Sequence, residues 1–205
     1  DTLLLEAGFL AIFFAPFQFL PNLKREAPPS CVVLWLLRWL SFRLMFESGY
    51  VKLFSGDVLW RNLTALTVHY ETQPLPTWIG WYAHQLPLWV QKISSILMFG
   101  IELVVPFLMF TPRRPRQLAC FAFVALQLLI LLTGNYCFFN LLTVALCVLL
   151  LDDAFLMRLL PASMASFVRA RLPLADGKSA QNCSFSSRPI PVPAPPEAGS
   201  RTGTW

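Results

Sequence analysis

The sequence predicts an all-α membrane protein with about five transmembrane helices, a luminal interfacial segment and a disordered C-terminal tail. Composition is the first indication: of 205 residues, 56% are hydrophobic and 13% are charged, whereas a soluble domain is about 45–50% apolar and about 25% charged. Five long apolar runs are the second indication. The third is a polar, aromatic passage between the second and third runs, which is typical of a segment at the membrane surface.

Each apolar run is about as long as a helix must be to cross about 30 Å of hydrocarbon. Together the runs predict a multi-pass region over residues 1–156. Residues 157–205 are first basic and then proline-rich, so they cannot bury a core and are predicted to be mostly disordered. The predicted crossings are residues 2–20, 31–48, 91–110, 118–133 and 136–152.

Basic residues in the short connections predict which side of the membrane is cytosolic. With five crossings, three basic groups fall on one side: Lys24 with Arg25, the arginines of TPRRPRQ at 111–117, and Arg158. That side is therefore predicted to be cytosolic. Residues 49–90, on the other side, are predicted to form a luminal loop.

Ionised side chains inside the apolar runs need partners, because an arginine at mid-membrane costs about 2.5–3.5 kcal/mol. Arg38 and Arg43 lie in the second run and Glu102 lies in the third. The spacing of Arg43 and Glu47 favours an ion pair on one helix face. Arg38 then needs Glu102 or Glu6 as its partner, unless the arginines extend to the interface instead.

The luminal loop holds both histidines of the chain and most of the candidate contact residues. Asp57 is predicted to cap a helix over residues 58–68, and residues 69–76, with two prolines, are predicted to form an extended strap. Asn62 begins an Asn-Leu-Thr sequon and is a glycosylation candidate. The structural or client-contact candidates are Arg38, Arg43, Glu47, Lys52, Asp57, Trp60, Arg61, His69, Tyr70, Glu71, Gln73, His84 and Glu102.

No motif in the chain predicts catalysis or metal binding. A nucleophile elbow, a phosphate-binding glycine loop and an HExxH pair are all lacking, and the five cysteines show no CxxC or zinc-ligand spacing. We therefore predict no catalytic residue, no cofactor and no metal. His69 and His84 are interpreted as hydrogen-bonding anchors, and proton transfer with Glu71 is the alternative. The net charge of +5 does not predict nucleic-acid binding, because the basic residues lie mostly at the ends of apolar runs.

Two stretches carry a family resemblance, SGYVKLFSGDVLWRNLTAL and HYETQPLPTWIGWYAHQLP. They resemble the lipase maturation factors, and the likeness extends over residues 1–156 and is closer to the second member of the family than to the first. It implies a multi-pass protein of the endoplasmic reticulum membrane with a chaperone-like, non-catalytic role. Its implied partners are the lipid bilayer and secreted lipase clients such as lipoprotein lipase. Family members continue into a large further domain, so we expect a fragment or variant with a divergent tail.

Two other classes of function predict different features. A membrane enzyme would gather the intramembrane arginines and Glu102 with the luminal histidines in one polar pocket. A transporter would show internal repeats or paired broken helices near the midplane, and no repeat is visible in the sequence.

Overall fold

The computed structural model of the chain describes residues 2–15, 30–73, 75–134, 136–161, 163–164 and 166. Every regular element in these residues is helical, so the predicted all-α fold is confirmed for them. The α-helix Leu88–Phe99 continues as a π-helical turn, Gly100–Val104, and a 3-10 helix, Val105–Phe110. The α-helices are α1 (Thr2–Phe14), α2 (Cys31–Phe54), α3 (Val58–Arg61), α4 (Ala65–His69), α5 (Trp78–His84), α6 (Leu88–Phe99), α7 (Arg113–Thr133), α8 (Phe138–Val148) and α9 (Asp153–Leu159).

Two helical stretches in the described residues are long and apolar enough to cross a bilayer. They are Leu88–Phe110, with 23 residues, and Arg113–Thr133, with 21 residues. Both expose apolar side chains, such as Leu97 and Leu129, which are 61% and 60% exposed. Helices α1 and α8 are apolar but shorter. Five crossings therefore remain a prediction. The end of the first one, residues 16–20, lies outside the described residues, as do the basic pair Lys24-Arg25 and the tail from residue 167 onward.

The core of the protein is built around α2, which packs against α1, α8, the π-helical turn and the 3-10 helix. The larger apolar cluster includes Met45 of α2, Met109 of the 3-10 helix, Phe123 of α7 and Cys147 of α8. A smaller cluster joins α1, α2 and α8. Helix α2 therefore contacts the elements that carry the acidic residues Glu6 and Glu102.

Helix α2 approaches the π-helical turn very closely at Gly49. A Cβ atom at this glycine would lie 2.9 Å from the Cβ of Glu102 and from the side chain of Leu103. The turn precedes Pro106, which has no backbone N–H and would crowd the preceding turn of a regular α-helix. A π-helical turn before the proline and a 3-10 helix after it accommodate this defect. The result is that Glu102, in an apolar helix, faces α2.

The helix predicted over residues 58–68 is wrong, because the structure divides it into α3 and α4. Asn62 ends α3, and Leu63 has a φ angle of 58°. This left-handed conformation is unfavourable for a residue with a Cβ atom, and it cannot continue a right-handed helix. The break turns the chain between the two short helices.

Three further predicted boundaries need correction. Helix α2 extends to Phe54, so the start of the predicted luminal loop is helical. Helix α7 begins at Arg113, which places the arginines of the predicted 111–117 connection in its first turns. The last apolar run, predicted to be a single helix over residues 136–152, forms the shorter α8 and a turn before α9.

Candidate functional site

A buried ion pair joins α2 to the π-helical turn. The Lys52 Nζ atom lies 2.5 Å from Glu102 Oε1, and the side chains of the two residues are 24% and 3% exposed. Lys52 also donates to Ser48 Oγ at 3.2 Å, and Ser48 donates to the same Glu102 oxygen at 3.3 Å. The other carboxylate oxygen, Oε2, is buried and has no hydrogen-bond partner among the described residues. The charge of Glu102 is thus compensated mainly by a single lysine.

The aromatic side chain of Trp60 covers this ion pair. Its ring centroid lies 5.6 Å from Lys52 Nζ, which is a cation–π arrangement. The same ring makes an edge contact with Phe99 of α6, with centroids 5.9 Å apart. Through Trp60, helix α3 is held against α2 and α6.

The ends of α3 match the local sequence. Asp57 is its N-cap, as predicted, because its side chain accepts a hydrogen bond from the backbone N–H of Leu59 at 2.8 Å. Arg61 and Asn62 are exposed at the other end of the helix. The sequon asparagine therefore points away from the packed face of α3.

Residues 69–73 form a short hydrogen-bonded turn, so the extended strap predicted over residues 69–76 is wrong for them. The side chains of this turn pack against the chain between α7 and α8. Gln73 is only 7% exposed, and a Cβ atom at Gly134 would lie 2.5 Å from its amide group. The Gln73 side-chain nitrogen contacts His69 Nε2. The His69 ring stacks on Tyr136, with centroids 6.3 Å apart. These contacts hold residues 69–73 against the connection between α7 and α8.

Burial and a nearby charge shift the pKa values of two side chains in this segment, His69 and Tyr70. Burial lowers the pKa of His69, and the positive charge of Lys52 lowers it further. A neutral imidazole accepts the N–H of Gln73, so the contact and the pKa shift agree. Burial also raises the pKa of the Tyr70 hydroxyl. His69 is therefore a neutral packing and hydrogen-bonding group.

The second histidine makes a separate contact. His84 Nε2 lies 3.1 Å from Glu71 Oε1, and the Glu71 side chain is 64% exposed. Gln91, at the start of α6, donates to the carbonyl oxygens of His84 and Leu86 at 3.0 and 3.1 Å. The end of α5 is thus tied both to the 69–73 turn and to α6.

Helix α5 is docked onto the last turn of α7. The Thr77 hydroxyl caps α5 by accepting from the Gly80 N–H at 3.0 Å, and it donates to the Leu132 carbonyl at 2.6 Å. A Cβ atom at Gly80 would lie 2.3 Å from the carbonyl oxygen of Thr133. Only glycine permits this approach. The outer face of α5 is aromatic and open: Trp78 is 86% exposed and Trp81 is 62% exposed.

Arg38 has a different partner from those predicted. Arg38 Nε donates to the carbonyl of Leu149 at 3.2 Å, not to Glu102 or Glu6. Arg116 donates in the same way to the carbonyl of Leu150 at 3.0 Å. The last carbonyl groups of a helix lack intrahelical donors, and these two arginines supply donors at the C-terminal end of α8.

Arg43 forms the predicted ion pair with Glu47, at 3.7 Å, and it also contacts Glu6 of α1. Lys52, rather than an arginine, compensates Glu102. The candidate residues of the described chain therefore lie in separate groups. The single polar pocket expected for an enzyme is not formed by them.

Two contributors to these groups were missed in the sequence. Ser48 lies one helical turn before Lys52, a spacing that places both on one face of α2. Gln91 is an isolated amide at the start of an apolar run, which is a signal of a polar contact at a helix end. Ser48 hydrogen-bonds to the predicted candidates Lys52 and Glu102, and Gln91 hydrogen-bonds to the backbone of the predicted candidate His84.

Apolar helices of spanning length, an interhelical buried ion pair and an aromatic segment docked at one end are typical of a helical membrane protein. Residues 1–158 match the family model described as the lipase maturation factor transmembrane domain. The chain belongs to the lipase maturation factor family.

Relatives named lipase maturation factor 2 are more similar to this chain than relatives named lipase maturation factor 1. Lipase maturation factor 2 of Gallus gallus is 55% identical over 155 residues, 75% of this chain and 22% of that protein. The Homo sapiens protein of the same name is 52% identical over 162 residues, 75% of this chain and 23% of that protein. Lipase maturation factor 1 of Homo sapiens is 40% identical over 170 residues, 81% of this chain and 29% of that protein. The predicted resemblance, closer to the second member, is confirmed.

The chain spans less than a quarter of the length of the lipase maturation factor 2 proteins it matches. No solved structure matches it.

Proposed function

We propose that this chain acts in the endoplasmic reticulum membrane as a non-catalytic, chaperone-like factor for the folding, maturation and transport of secreted lipases such as lipoprotein lipase. Identity of 52–55% to proteins named lipase maturation factor 2 is the observation that carries the proposal. The contacts of the candidate residues support a non-catalytic role, because His69 and His84 serve as anchors in separate groups.

We propose five crossings with the 49–90 segment facing the lumen. The contacts are compatible with this topology, because the segment packs against the C-terminal end of α7 through Thr77 and Gly80. The basic side chain of Arg116 contacts the end of α8 near the opposite end of α7. A luminal segment is also the arrangement in which a secreted client can reach it.

The outer face of α5 is our candidate client surface. Trp78, Trp81 and Tyr82 are 86%, 62% and 66% exposed, whereas the inner face is fixed by Thr77 and Gly80. Rigidly held aromatic side chains bind partners with a low loss of conformational entropy. The aromatic face of α5 can therefore bind the apolar side chains that a lipase exposes transiently while it folds.

Co-precipitation of lipoprotein lipase tests the proposal in cells that lack endogenous lipase maturation factors. We expect the chain to capture the lipase, and the Trp78→Ser/Trp81→Ser variant to capture much less. The matched control is Trp35→Ser, since Trp35 is 54% exposed on α2. A longer form with the C-terminal region of the relatives, measured beside the chain, reports the secretion of active lipase. If neither form binds lipase or raises its secretion, the proposed function is wrong.

Glycosidase sensitivity tests the proposed sidedness and compartment. Asn62 is exposed, so a luminal segment is expected to carry an N-glycan that a glycosidase removes. The Asn62→Gln variant is expected to migrate at the deglycosylated position without treatment. Reaction of Trp78→Cys with an impermeant thiol reagent from the cytosolic side would contradict the topology.

A further inference from the structure

A groove between α1 and α2 has an apolar wall and a charged end. The groove is open and has a volume of about 220 Å³. Its apolar wall is formed by Phe9, Leu10, Leu36, Trp39 and Leu40. Phe9 and Trp39 are 61% and 42% exposed, so the groove opens on the outer, apolar surface of the two helices.

The charges lie at one end of the groove because the two helices are antiparallel. Arg43 follows Leu36 by about two helical turns, or about 10 Å along α2. On α1 the order is reversed, and Glu6 precedes the apolar residues Phe9 and Leu10. The Glu6–Arg43 ion pair therefore closes the same end from both sides. The groove has the polarity of an amphiphile, with a polar head and an apolar chain.

The charged end is open to the surroundings. The side chains of Arg43 and Glu6 are 40% and 39% exposed. Half-exposed charges on an apolar membrane surface are costly unless polar groups solvate them. Glu47, the second acid beside Arg43, gives the group of three residues a formal charge of −1. This charge repels an anionic head and favours one that donates hydrogen bonds.

We propose that this groove binds a lipid with one acyl chain along the apolar wall and with an O–H or N–H donor head, without net negative charge, at Glu6, Arg43 and Glu47. The chain length along the groove is short: about 10 Å of α2 corresponds to the first part of an acyl chain. The site requires only the membrane location of the two helices. It is independent of lipase binding, and the two proposals fail separately.

Photo-crosslinking of the purified full chain in phosphatidylcholine nanodiscs tests the site. Three probes carry the same photoreactive alkynyl acyl chain: a monoacylglycerol, a lysophosphatidylethanolamine and a free fatty acid. We expect either or both of the first two to label peptides of α1 and α2 about fivefold more than the fatty acid does. Preference between the first two identifies a hydroxyl or an ammonium head.

Two matched variants separate the groove from general lipid contact. Leu36→Trp fills the groove and is expected to lower labelling about fivefold. Leu129→Trp is the control, because Leu129 is an exposed apolar residue on α7, outside the groove. Trp39→Ala, which removes one wall, provides a second test if Leu36→Trp does not yield a helical, monodisperse protein. Glu6→Gln neutralises the charged end and is expected to raise fatty-acid labelling selectively.

Equal labelling by all three probes would overturn the proposal. So would labelling spread evenly over exposed apolar peptides of α1, α2 and α7, or equal labelling of the Leu36→Trp and Leu129→Trp proteins.

Discussion

Removal of Lys52 is expected to destabilise the protein more than removal of its partner. In Lys52→Met, Glu102 remains 97% buried and keeps only the weak hydrogen bond from Ser48 at 3.3 Å. Leaving a buried charge without its partner costs about 3–5 kcal/mol. Loss of the cation–π contact with Trp60 adds about 0.5–1 kcal/mol. In Glu102→Gln, the lysine is partly exposed and can extend toward water, so we expect a smaller loss of about 1–2 kcal/mol.

The free energy of unfolding can be measured by titration with a denaturing detergent in mixed micelles, followed by far-ultraviolet circular dichroism. The double variant Lys52→Met/Glu102→Gln is expected to resemble Glu102→Gln, because it leaves no unpaired buried charge. That outcome corresponds to a coupling energy as large as the whole loss in Lys52→Met, about 3.5–6 kcal/mol. Lys92→Met is the matched control, since none of the ion pairs of the described residues involves Lys92. We expect this variant to change the free energy of unfolding by less than about 0.5 kcal/mol.

Two results would refute this reasoning. One is a loss of less than about 1 kcal/mol in Lys52→Met, which would mean that Glu102 is not held as a buried carboxylate. The other is strict additivity of the two single changes in the double variant. Either outcome would mean that the Lys52–Glu102 ion pair is not the contact that fixes the π-helical turn to α2.

Two further perturbations address the 69–73 turn and α5. Gly80→Ala places a Cβ atom 2.3 Å from the carbonyl oxygen of Thr133, so we expect α5 to detach from α7 and its amide hydrogens to exchange at least about tenfold faster. The control is Gly8→Ala, where a Cβ atom would meet nothing within 4 Å, and we expect it to leave the exchange of α5 unchanged. Because the pKa of His69 is lowered in the folded protein, the unfolded chain binds more protons, and stability should fall as the pH drops below about 6.5 and level off below the folded pKa. In His69→Gln this part of the pH dependence should disappear from the unfolding free energy, and an unchanged pH profile would contradict a neutral, buried His69.

The helical nature of the protein and several local contacts could be predicted because they depend on neighbours in the sequence. A long apolar run predicts a helix, because a run of about 20 apolar residues has the length that a helix needs to cross a membrane. The Asp57 cap and the Arg43–Glu47 pair follow from spacings of two and four residues, and the structure contains both. The break at Leu63 could not be predicted, because no glycine or proline marks it.

The long-range partners could not be predicted, because they depend on helix register. Glu102 meets Lys52 only because Gly49 allows close packing and the π-helical turn changes the face that Glu102 presents. The partner of Arg38 is a backbone carbonyl at Leu149, a group that every residue carries and that no sequence pattern distinguishes.

Helix α7 has fixed connections at both of its ends. Its first turns are joined through Arg116 to the end of α8, and its last turn carries α5 through Thr77 and Gly80. With 21 residues, the helix is about 30 Å long. If α7 moves along its axis as a rigid helix, we expect the exposed tryptophans of α5 to move with it.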